Sequence, residues 1–176
     1  MVIQTDVATI TGSNATISYI VANTSLDYFG VLSLVEDIMR KTLEYTIPQI
    51  KAWIKEYVAK RTGQLQDDLI KTLENSQWVN QQLRLELGTM LPYAGKINSD
   101  RSLKIQHSNE LGYAYSYGVR GKVILKDSKA QYGFWGLLKM ESRKRLRENF
   151  TRSRFEICGK LGVSGQSIQR KLRVKI

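Results

Sequence analysis

The chain of 176 residues carries 27 Lys and Arg against 16 Asp and Glu, a formal charge of +11, with 42% hydrophobic and 24% charged side chains. One globular domain with at most an appendage fits these values; wholesale disorder, collagen and a membrane-embedded bundle do not. The charge is lopsided, because residues 1–88 hold 8 basic and 10 acidic side chains whereas residues 89–176 hold 19 and 6.

The first basic residue is Arg40, so neither a secretory signal nor a presequence is expected, and a cytosolic origin follows. No stretch approaches the roughly 20 uncharged apolar residues of a spanning helix, so no membrane partner is expected. Cys158 and His107 are single, which removes internal disulfides and thiolate-imidazole zinc sites built from one chain.

Residues Val2 to Val21 alternate apolar and polar side chains around Gly12-Ser13-Asn14, which predicts an N-terminal β-hairpin within residues 1–25. From Val31 to Val58, Leu34, Val35, Ile38, Met39, Leu43, Ile47, Ile50 and Ile54 keep the three-and-four spacing of a helix with one buried face. Pro48 inside that run predicts a kink or a split near Glu44 to Ile47. After Arg61-Thr62-Gly63, the residues Leu65, Leu69, Ile70 and Leu73 predict a short helix with Asp67 and Asp68 in its early turns.

Leu83, Leu85 and Leu87 alternate with polar residues, and Leu111, Tyr113, Tyr115, Tyr117 and Val119 alternate with Gly112, Ala114, Ser116, Gly118 and Arg120; both runs read as strands. A third strand, Lys122 to Leu125, pairs with the second across Arg120-Gly121 in this reading, and Gly88 to Glu110 is expected to be a long exposed loop. Phe134, Leu137, Leu138, Leu146 and Phe150 mark a discontinuous apolar stripe on a basic helix from Ser128 to Phe150. The expected fold is α+β: a small antiparallel sheet and β-hairpins packed on a long N-terminal helix and a long basic C-terminal helix. Residues 1–150 form one domain in this reading, and residues 151–176 a basic extension.

Catalytic groups are sparse. Asp67-Asp68 suits a helix start better than a cation site, His107 has no acidic neighbour in sequence, and Cys158 suits a small buried position. No enzyme activity and no cofactor are expected. The tyrosines at 113, 115 and 117 fit packing under a helix better than stacking on unpaired bases. Lys139, Arg143, Lys144, Arg147, Arg152 and Arg154 make a basic face that would track phosphates, meet an acidic protein, or stay solvated.

Two stretches resemble a known family. Lys60-Arg61-Thr62-Gly63-Gln64-Leu65 resembles the Thr-Gly-x-Leu turn of the tail-completion and neck proteins of tailed bacteriophages, including the virion-morphogenesis proteins of Mu-like phages. Leu85 to Ala94 is similar to the strand, Gly-Thr turn and Tyr-Ala pair of that group. The resemblance covers about residues 31–150. It implies a virion subunit made in the host cytoplasm and assembled as a homo-oligomeric ring, a hexamer, in the neck or at the head-proximal end of the tail. The neighbours it implies are neck, connector or tail-tube proteins, with nonspecific contact to packaged DNA as a further option. Gly88, Thr89, Tyr93, Ala94, Lys96 and Asn98 would then lie on the ring-contact loop.

A rival resemblance sits at the C-terminus. Ile157 to Leu172 resembles the helix-turn-helix of bacterial transcription regulators, which would make residues 152–175 a sequence-specific DNA reader. Ser164, Gln166, Ser167 and Arg170 would then face the major groove.

Overall fold

A computed structural model describes residues 2–7, 17–22, 29–80, 82–101, 103–107, 110–121 and 133–160. Two antiparallel sheets and two long helices make an α+β fold, as the periodicities predicted. The first sheet has the order β1-β2-β4-β3, formed by Val2–Val7, Ile17–Ala22, Gln82–Leu85 and Gln77–Val79 respectively. β1 and β2 pair as the expected N-terminal hairpin, from Val2 opposite Ala22 to Val7 opposite Ile17. Their connection around Gly12-Ser13-Asn14 lies outside the described residues.

Helix α1 spans Phe29–Tyr57 without a break. The predicted split at Pro48 does not occur, because Pro48 and Glu44 are both on the exposed side of the helix. The Glu44 carbonyl, deprived of its helical donor, is left on the side where water is available. The inward face of α1 buries Ile38, Met39, Ile50 and Ile54 almost completely, each worth roughly 1.5–3 kcal/mol relative to exposure. Gly63, at φ +92°, closes the turn into α2, Gln64–Glu74.

Gln66 ties these two helices. Its buried Nε2 donates to the carbonyls of Ile54, Lys55 and Val58 at 3.2, 3.3 and 2.7 Å, adding to the Val58 amide that Ile54 already accepts and serving the acceptors at the end of α1. Leu65, Leu69 and Leu73 fill the space beneath, together with Leu83, Leu85 and Leu87.

The stretch from Gly88 to Glu110 is not the long exposed loop its polarity suggested. It contains α3, Ala94–Ser99, and β5, Leu103–His107. One turn of helix and a five-residue strand contribute too few apolar residues to stand out from the polar sequence around them. β5 pairs with β6, Glu110–Ser116, which pairs in turn with β7, Val119–Arg120. The β6-β7 turn is Tyr117-Gly118, not Arg120-Gly121, with Ser116 opposite Val119 and both turn residues at positive φ, 54° and 72°. That is the requirement of a two-residue primed turn, whose twist matches that of the flanking strands. Tyr117 therefore leaves the strand face, whereas Tyr115 is buried, as the packing reading expects. The predicted strand Lys122 to Leu125 lies outside the described residues.

The last helix, α4, spans Gly133–Lys160, so it crosses residue 150 unbroken and runs ten residues past its predicted end. It lies antiparallel to α1 and makes that helix's most extensive packing partner, with Tyr45 beside Glu156 and Thr46 beside Asn149.

Candidate functional site

Helix α2 begins at Gln64, in the first of the two phage-like stretches, and is bonded to the second. The Thr72 hydroxyl on α2 donates to the Gly88 carbonyl at 3.0 Å and accepts from the Gly88 amide at 2.9 Å. One turn earlier, Asp68 Oδ2 accepts the Met90 amide at 3.1 Å, and Gln64 Oε1 accepts the Tyr93 hydroxyl at 3.4 Å. One flank of α2 thus holds the backbone of Gly88 and Met90 in place. Asp68 has a structural task here, and among the described residues no group of three His, Cys, Asp or Glu side chains could hold a metal ion.

The six residues expected on a ring-contact loop divide. Thr89 and Ala94 are buried in the chain's own interior, at 1% and 0% exposure. Gly88 is engaged by Thr72, and Asn98 Oδ1 accepts the Trp135 amide at 3.0 Å, capping the start of α4. Only Tyr93 and Lys96 remain on the surface. Met90, absent from that set, is the most exposed large apolar residue described, at 77%, and Tyr93, three residues on, is exposed as well. The signal for it was present in sequence: a methionine between a buried Gly-Thr turn and Leu91-Pro92, on the opposite side of the chain from Thr89.

The basic face also divides. At about 100° per residue, Lys139, Arg143, Arg147, Arg154 and Lys144 fall within about 140° of arc on α4. The helix's three carboxylates, Glu141, Glu148 and Glu156, all project from the other flank. Arg152 belongs to that second flank, contrary to its assignment in sequence. Its guanidinium lies over the Tyr45 ring, 4.1 Å from the centroid, and Arg145 binds Glu141 at 2.6 Å and Glu148 at 3.4 Å. Linear counting placed all six cations together; helical geometry separates Arg152 from the other five. Among those five, burial and then the positive charge of Arg143 pull the Lys139 pKa below the ordinary lysine value.

The second flank forms a latch to α1. Glu156 accepts from the Tyr45 hydroxyl at 2.6 Å and pairs with Lys41 at 3.0 Å and Lys160 at 3.4 Å. These donors hold its carboxyl at a pKa of about 2, well below the usual carboxylate range, with the Tyr45 hydrogen bond the largest cause. The same hydrogen-bonded pairing raises Lys41. Beside the latch is an open groove of about 390 Å³ lined by Asp37, Arg40, Lys41, Glu44, Ile157 and Lys160. Arg40, Lys41 and Lys160 each pair with a glutamate, so the groove offers a ligand no field of one sign.

His107 lies in β5. Of the helix-turn-helix resemblance, Ile157 to Lys160 are the last turn of α4. Ser164, Gln166, Ser167 and Arg170 lie outside the described residues. No helix among the described residues is long and apolar enough to cross a membrane. No protein-family model, no curated protein and no solved structure matches the chain.

Proposed function

We propose that this chain is a structural subunit of a tailed-phage particle, assembled as a homo-oligomeric ring in the neck or at the head-proximal tail terminus. One observation carries the reading. Helix α2, which starts within the first phage-like stretch, is bonded to the second: Thr72 and Asp68 hold the backbone of Gly88 and Met90, and Gln64 accepts the Tyr93 hydroxyl, with Met90 and Tyr93 exposed. Exposed apolar side chains on a backbone held in place bind with little loss of backbone entropy, which suits contacts repeated around a ring. The basic side of α4 would face a neighbouring ring or the DNA in the channel.

Mass analysis of purified particles tests the proposal: a ring subunit is present at several copies per particle, and image averaging shows it at a single axial level. Its absence from intact particles overturns the reading. The helix-turn-helix alternative predicts the opposite pattern, absence from particles together with base-specific binding that weakens in Arg170→Ala.

A further inference from the structure

We propose that the outer edge of β1 pairs antiparallel with β1 of a second copy of this chain, joining two four-stranded sheets across a two-fold axis. The strand order β1-β2-β4-β3 leaves β1 paired on one side only among the described residues. Val2–Val7 runs in unbroken register with β2, so its other side offers six residues of regular backbone. The strand contains no lysine or proline, the residues that commonly keep a further strand from adding to an edge.

The other edges are protected. β3 has three residues and is followed by Asn80 at φ +50°. β5 includes Lys104 and shifts register between Ile105 and His107. β7 has two residues, and its Val119 is bridged to Val58. Short strands, bulges and lysines close edges to further pairing, so among the described strands the open edge that a second copy presents is β1 itself. Like edges that meet make an isologous contact about a two-fold axis.

The hairpin also needs what this contact supplies. β2 pairs with β4 only through Ile17, Ser18 and Tyr19, whereas Ile20, Val21 and Ala22 pair with β1 alone. Neither strand packs substantially on a helix among the described residues. A two-stranded ribbon is marginal by itself in water, and pairing β1 with its equivalent makes four strands of two. Residue types favour one register. Centred on Thr5, it sets Thr5 opposite its equivalent, Ile3 opposite Val7 and Gln4 opposite Asp6, so β-branched residues meet and the two carboxylates stay apart.

The inference stands apart from the ring reading, which rests on Met90 and Tyr93. The test therefore uses the full chain with Met90→Ser and Tyr93→Ser, so that loss of the ring contact cannot be mistaken for loss of this one. Sedimentation is expected to show a dimer. Thr5→Lys sets two like charges opposite each other and should raise the dimer dissociation constant about fivefold. Thr5→Glu should do the same, and mixing the two variants should restore the dimer.

Thr5→Cys with Cys158→Ser gives a readout that does not depend on charge. Opposed Cα atoms of an antiparallel pair lie about 4.5–5.5 Å apart, within disulfide reach, so oxidation should link two chains. Ser18→Cys on β2 would lie three strand spacings, about 14 Å, from its equivalent and should not link. A monomer with β1 unaltered, as when another segment of the chain covers this edge, would overturn the inference. So would a mixture of the Lys and Glu variants no tighter than either alone, or equal crosslinking at positions 5 and 18.

Discussion

Asn149 of α4 donates through Nδ2 to Thr46 Oγ1 of α1 at 3.1 Å, at the centre of the contact between the two long helices. The same amide group reaches Gln49 Oε1 at 3.0 Å. Thr42 and Thr46 return their hydroxyls to the carbonyls of Ile38 and Thr42, and Ser142 does so to Leu138, so a seam of small polar residues is buried at low cost. Asn149→Ala removes both cross-helix bonds and leaves a void, and stability is expected to drop by about 2–3 kcal/mol. Urea unfolding checks this; a change under about 0.5 kcal/mol would show that the seam does not lock the helices.

The Glu156 latch makes stability depend on acid. Its folded pKa of about 2 lies below the ordinary 4.5, so its contribution is complete above 4.5 and disappears as pH falls towards 2. Glu156→Gln should therefore lower the urea midpoint at neutral pH, with the gap from wild type closing across that acid window. Lys41, whose pKa is raised, loses its share only in strong alkali, as pH climbs past its folded value. The effect is small because the group is solvated and salt screens it. An unchanged gap from neutral pH to the acid limit would place the latch outside the stability of the fold.

The junction of α3 and α4 depends on a residue without a side chain. Gly133 has φ +66°, and a Cβ there would collide with the carbonyl oxygen and side chain of Asn98, the residue that caps α4 through Trp135. Gly133→Ala combines left-handed strain with that collision and should cost about 2–4 kcal/mol. Asn98→Ala, which loses only the cap, should cost about 1 kcal/mol. Calorimetric midpoints distinguish the two, and equal losses would mean that close approach is not what Gly133 provides.

Strong periodicity made much of this architecture legible. The leucines and isoleucines of α1 and α2, and the alternation at Leu83, Leu85 and Leu87, point at the core that the structure shows. What stayed hidden depends on partners remote in sequence. β3 has three residues and α3 only six, too short to establish a period. The apolar stripe of α4 looked broken because Ser142, Asn149 and Ser153 occupy inward positions, acceptable only where α1 presents its threonines. No sequence signal marked Gln66 as buried, and Asn98 was expected on a ring-contact loop, yet each satisfies the end of a different helix. The adjacency of α2 and the second phage-like stretch could not be read from sequence spacing, since it is made by Thr72 and Asp68 reaching across to backbone.

That adjacency separates two roles within one short segment. Thr89 and Ala94 point into the chain, so Ala94→Glu, which forces a charge into a fully buried site, should unfold the protein or lower its stability by more than about 3 kcal/mol. Met90 and Tyr93 point outward, and replacing both by Ser should leave the unfolding midpoint within about 0.5 kcal/mol of wild type. The asymmetry reverses for assembly. On the ring reading, the double Ser variant stays folded but fails to join particles or to form the oligomer, because the apolar contact is lost while its scaffold on α2 is intact. Sedimentation of the purified variant beside wild type, together with its incorporation into particles, provides the measurement. A double variant that assembles normally would assign the ring contact to another surface, and one that unfolds would show these side chains to be part of the core.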